Sequence, residues 1–342
     1  MSSVFDKLYS ANLLNTPPAF LKNNIHYEVI TGSTAYGCAD TAKSDKDVYG
    51  FAIPPKDIIF PHQAGYITSG FDEEYPNFKN WQQHHITHDS DEYDIAIHNI
   101  THFFRLCMNN NPNMIDCLFV PLRCVIFTTQ VGEHVRNNRK MFLHKGSFFK
   151  FRGYAKSQLS KLQAKQINNF IAMCKEHNLP LEIQTEDVLA SKLPGDVKAK
   201  LQQLIKRIDS NGVRTKRIYS IAKYGYDVKF AYHLVRLLSE ARQILDHHDL
   251  ILDRDREMYK SIRRGDWNKD QVIDYFARNE ISLEKACDNS TLPSRPDVNA
   301  IRQLLIDCLE MHYGSLEECV SSLDKHELAV RDIKQLLADR KL

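Results

Sequence analysis

The sequence predicts an α+β fold: a mixed β-sheet domain over residues 1–145, followed by a mainly helical domain over 146–342. The first 145 residues hold short runs of β-branched and aromatic residues, HYEVITG, DVYGFAIPP and YDIAIHNI among them, punctuated by Gly, Pro and Asp. Beyond about residue 145 apolar residues recur at helical spacing for most of the chain. At 342 residues the chain also exceeds the usual size of a single core.

The elements follow in order. HYEVITG reads as a strand running into Gly32 and Ser33, a pattern suited to a turn and a short helix. DVYGFAIPP is a second strand beyond a polar loop. Residues 62–92, rich in His, Gln, Asp and Glu, read as an insertion between strands with a short strand at WQQHHITH, and YDIAIHNI is the next strand. FFRLCMNNNPNMIDCLFVP predicts a helix, an Asn-Pro break and a second helix, after which CVIFTTQVGEHVRNNRKMF is first β-like and then helical. The helical half comprises FFKFRGYAKSQLSKLQAKQINNFIAMCKEH, DVKAKLQQLIKRIDS, DVKFAYHLVRLLSEARQILDHHDL and a last stretch from RPDVNAI onward. Pro180, Leu193-Pro194-Gly195, Asn211-Gly212, Pro293 and Pro296 interrupt it.

Hydrophobic residues at 43% and charged residues at 26% are ordinary for a folded globular chain. The N-terminus lacks a basic region followed by an unbroken apolar run, and no eighteen apolar residues occur in succession, so neither secretion nor membrane insertion is expected. Eight scattered cysteines without a C-x-x-C pair read as reduced, mostly buried thiols of a cytoplasmic protein. Net charge is +2, yet Lys145 to Arg242 holds 19 Lys and Arg against 8 Asp and Glu. That excess fits a polyanionic partner gripped by the middle of the chain, although a solvated helix surface gives a similar one.

The chemistry concentrates in TGSTAYGCADTAKSDKDVYGF, residues 31–51. A glycine after a strand lets backbone approach a ligand, and N–H groups at a helix start with the Ser33 hydroxyl suit the phosphates of a nucleotide. Asp45 and Asp47 flank Lys46, and the two-residue period of a strand puts both carboxylates on one face with Lys46 opposite. Two anions on one face call for a cation, and hard oxygen donors suit Mg²⁺ or Mn²⁺. Asp94 in DEYDIAIHNI is the candidate third carboxylate, with Asp89, Asp91 and Glu92 as neighbours that could take its place. Such a triad suits two ions ~3.5–4 Å apart that clamp an attacking hydroxyl and the triphosphate of an in-line displacement.

Gly-Ser, spacer, Asp-x-Asp and a later strand Asp resemble the signature of DNA polymerase β-type nucleotidyltransferases. GSTAYG, SDKDVYGF, FFRLCMNNNPNMIDCLF and KYGYDVKFAYHLVRLL look like the minimal RNA-repair-associated branch, also found in large tailed phages, over about residues 27–240. The resemblance implies an enzyme that moves a nucleoside monophosphate from an NTP to a hydroxyl, with Ser33 at the phosphates and Asp45, Asp47 and Asp94 at the metals. It favours RNA, a tRNA or a broken end, as acceptor.

In the helical half Lys229, His233 and Arg236 fall at i, i+4 and i+7, a row that could place positive charge over a triphosphate or an RNA strand; a basic solvated face is the other reading. Tyr224 and Tyr226 could stack on a base, or simply pack. His84, His85 and His88 do not read as a zinc site, because adjacent histidines on a strand point apart and no further ligands complete a shell. Walker, nucleophile-elbow and dinucleotide fingerprints are absent from the sequence. A protein-nucleotidylating enzyme, transfer to a small molecule, and a non-catalytic nucleotide- or RNA-binding protein stand as alternatives.

Overall fold

The computed structural model describes residues 3–39, 45–60, 78–162, 165–210, 215–315, 317 and 333. The fold is α+β, with one mixed sheet and many helices. Five strands, β1 (Ile25–Ile30), β2 (Lys46–Ala52), β3 (Asn80–His88), β4 (Asp91–Asn99) and β5 (Val125–Thr128), lie in the order β3-β4-β2-β1-β5. β2 and β4 are parallel, and every other neighbouring pair is antiparallel. Each run read as β-rich is a strand, WQQHHITH included. The rest of the segment between the strands, residues 61–77, lies outside the described residues.

Both faces of the sheet are covered. Val48, Ile95 and Ile97 meet Phe5, Leu8 and Leu21 on one face. On the other, Phe51 stacks on Tyr27 and packs against Phe103 of the helix Ile100–Met108. Several helix starts carry residues that satisfy their orphan N–H groups. Asn111 accepts from Asn113 and Met114, and Pro112, with no N–H to lose, occupies the first turn; this is the physical content of the Asn-Pro break.

The chain divides into two compact units. The first holds residues up to His144, Ile251–Asp253 and the described residues from Pro293; the second holds Lys145–Leu250 and Arg254–Leu292. One cut at 145/146 therefore does not describe the division. The helix Val298–Tyr313 rejoins the sheet unit because His312 bonds His26, Tyr313 donates to the Pro54 carbonyl, and the helix packs against Gln130–Asn137.

Within the second unit the helix Val228–His247 is the axis, packed against Gly146–Leu162, Arg256–Arg264 and Lys269–Asn289. Phe170, Cys174, Leu201, Ile205 and Ile221 form a separate apolar cluster. Among the described residues no helix is long and apolar enough to cross a membrane. The seven described cysteines are free thiols.

Candidate active site

β1 ends where β2 begins, and the Thr31 N–H donates to the Asp47 carbonyl at 2.8 Å to hold the two together. There the chain turns into the short helix Gly32–Ala35. Gly32 has φ +63°, and a Cβ on it would stand 2.2 Å from Asp47 Oδ2. Glycine is thus required twice, for its left-handed backbone and for the carboxylate lying against it. Ser33, the next residue, is half-buried.

The parallel register sets Asp47 directly beside Asp94 and Lys46 beside Tyr93. Strand alternation then puts Asp47 and Asp94 on one face and Lys46 on the other, while Asp45, expected to share a strand face with Asp47, precedes the first strand residue. Lys46 bonds Asp91 at 2.5 Å and lies over the Tyr93 ring. Asp91 is therefore neutralised on the far face; the Lys46 ammonium holds its carboxyl below the usual range. Glu92 shares the parity of Asp94. It takes a 2.6 Å contact from His85 Nδ1, which lowers its pKa.

Carboxylates on adjacent strands, ~4.8 Å apart, repel by roughly 1 kcal/mol in water and about 3 kcal/mol at an effective dielectric of ~20. Tyr49, two residues along from Asp47, senses both charges. Burial first, then neighbouring negative groups including Asp47 and Asp94, push its hydroxyl up to about 12. Asp47 and Asp94 offer hard oxygen donors side by side, with Asp45 and Glu92 in the next rank, and this donor set fits a hard divalent cation. Among the described residues no three His, Cys, Asp or Glu groups converge into a ready-made cage, so the assembled unit is the pair.

Two histidines join this face that sequence reasoning set aside. A bulge between Gln83 and Ile86, with His85 at φ +57°, interrupts the alternation of β3. The His85 backbone N–H donates to Asp94 Oδ1 at 2.8 Å and its ring goes to Glu92, while His84 Nδ1 lies 3.3 Å from Asp94 Oδ2. The His-His doublet opposite an acidic strand was the available signal.

The chain matches the RNA repair pathway DNA polymerase beta family over residues 12–307. It belongs to that family. Family membership makes the chain a polymerase β-like nucleotidyltransferase. None of the curated proteins matches it significantly. Among solved structures it is similar to a nucleotidyltransferase-like protein from Exiguobacterium sibiricum, at 9% identity and a TM-score of 0.25, covering 89% of this chain and 78% of that one. The family assignment rests on the sequence match, since so low a TM-score cannot carry it.

In the second unit of this family member, the row Lys229, His233, Arg236 differs from its sequence reading. Arg236 is buried, and its Nη1 contacts both oxygens of Glu240 at 2.8 and 3.0 Å, so its charge is offset inside the helix packing. His233 is half-buried. Desolvation, then the charges of Arg236, Lys229, Arg263 and Lys161, hold its pKa well below the ordinary value, so the ring is neutral. Lys229 is exposed. The cations beside it come from other helices: Arg217 at 4.4 Å and Lys161 at 5.7 Å from the Phe230 ring, and Arg263 at 5.7 Å from Tyr232. Tyr226 is buried and donates to the Trp267 carbonyl, a packing role, while Tyr224 is half-buried beneath Lys223.

Proposed function

We propose that this family member transfers a nucleoside monophosphate from an NTP to an RNA hydroxyl, with Asp47 and Asp94 as the divalent-metal pair. The observation that carries the reading is the register of β2 on β4, which sets Asp47 and Asp94 side by side, with the Asp47 carboxylate against Gly32. Asp47 and Asp94 would hold Mg²⁺ or Mn²⁺, with Asp45 as a further donor from the residues leading into β2. Such ions, when bound, stabilise triphosphate charge and favour the ionised form of the attacking hydroxyl. Gly32 keeps the approach to the Asp47 carboxylate clear, and Ser33 offers its hydroxyl to phosphate oxygens. The His85 backbone N–H fixes the orientation of Asp94.

The RNA acceptor is supported by the cations Lys161, Lys229 and Arg263 set among Phe230 and Tyr232. Charge attracts phosphates, and the half-buried Phe230 is the aromatic of this set left within reach of an unpaired base, Tyr232 being buried.

The test offers each α-labelled NTP with Mg²⁺ or Mn²⁺ and an RNA pool to the wild type and to the Asp45→Asn/Asp47→Asn double variant. Label in RNA and pyrophosphate release by the wild type alone are expected. Turnover surviving in the double variant sinks the metal assignment. Label on protein redirects the acceptor to a side chain, and RNA binding without any transfer supports a binding protein instead.

A further inference from the structure

At the opposite end of β1 from Asp47, a second polar constellation lies beside a cavity of about 320 Å³ lined by His26, Thr129, Gln130, Val131, Met311 and His312. His26 Nε2 lies 3.0 Å from His312 Nδ1, with the rings perpendicular and their centroids 4.8 Å apart. His26 Nδ1 lies 2.8 Å from Thr129 Oγ1.

The Thr129 hydroxyl is an outer partner for the His26 ring, and in the tautomer where it accepts from Nδ1–H, His26 turns its Nε2 lone pair toward His312. Metal-binding imidazoles are set up in this way, with the second nitrogen held by an outer hydrogen bond.

We infer that His26 Nε2 and His312 Nδ1 form a binding site for a late first-row divalent ion such as Zn²⁺ or Cu²⁺, distinct from the carboxylate pair. Metal–nitrogen bonds of ~2.0–2.1 Å make two nitrogens 3.0 Å apart subtend roughly 90° at an ion, a normal cis angle. His312 moves its proton from Nδ1 to Nε2 on binding, so the two lone pairs face one ion and no net proton is released. The cavity supplies room for water ligands. Burial keeps both rings neutral, the form that ligates. The Lys56 ammonium near His312 opposes a cation, which sets the affinity below that of a three-ligand site.

The experiment titrates Zn²⁺ into the ¹⁵N-labelled full chain with Mg²⁺ in excess, following the imidazole nitrogens, for wild type, His312→Gln and Asp47→Asn/Asp94→Asn. One equivalent is expected to shift the His26 and His312 resonances in wild type and in the carboxylate variant alike, and binding at that site is expected to weaken at least tenfold in His312→Gln. His26 and His312 resonances that stay put, or that move in wild type but not in the carboxylate variant, overturn the site and leave the pair as a structural hydrogen bond.

Discussion

Glu28, fully buried in β1, accepts the N–H groups of Val4 and Phe5 at 2.9 and 3.0 Å, and so caps a helix that precedes it by more than twenty residues. Burial raises its pKa to about 7, against the backbone bonds that lower it. Folded protein thus binds more protons than unfolded protein between about pH 4.5 and 7. The stabilisation this linkage provides is complete below about pH 4.5 and is lost as pH rises through 7. His26 and His98, depressed to about 4 chiefly by burial, act in the opposite sense over the acid range. The Glu28→Gln variant isolates the first contribution. Its melting temperature is expected to fall less steeply with pH between 5 and 7.5 than the wild type's, at a general cost of about 1 kcal/mol for the acceptor lost.

Gly32→Ala forces a methyl onto Asp47 and strains a backbone at φ +63°. A loss of about 1–2 kcal/mol in stability and a larger, at least ~10-fold, loss of NMP transfer are expected, because the carboxylate must turn away. Denaturant unfolding and the labelled-NTP assay check the two effects separately.

Arg236→Ala leaves the Glu240 carboxylate buried without its partner arginine, which costs about 3–5 kcal/mol. Replacing both residues together, Arg236→Met with Glu240→Leu, is expected to recover most of that stability. A double variant as unstable as the single one shows that the pair is not an isolated unit.

If the second unit grips RNA, Lys229→Ala weakens binding evenly across sequences. It also lowers the slope of log affinity against log salt by ~0.7, the contribution of one single-strand phosphate contact. Fluorescence anisotropy over a range of salt concentrations measures it.

Much of this molecule was legible in its sequence, because two periodicities were written cleanly. Alternation marked the strands, and Asp47 and Lys46 do fall on opposite faces. The i, i+4 spacing marked the helices, and Asn111-Pro112 marked a start. The choice among Asp91, Glu92 and Asp94 required register, a long-range property that no local pattern encodes. Only pairing with β2 separates Asp91, which Lys46 takes, from Asp94, which meets Asp47. The bulge at His85 was hidden for a related reason: one extra residue breaks the parity from which side-chain direction is inferred. Arg236 was misplaced because a cationic row was read without its i+4 neighbour Glu240, although that spacing lay in plain view.

The return of Val298–Tyr313 to the sheet sets an order of events during synthesis. The ribosome delivers β1 to β5 first, yet the helix that meets His26 and Pro54 emerges only after the whole of the second unit. The later unit can therefore close while the earlier one is still missing a wall. A gene fragment ending at His144 encodes all five strands but leaves the His26 end of the sheet bare.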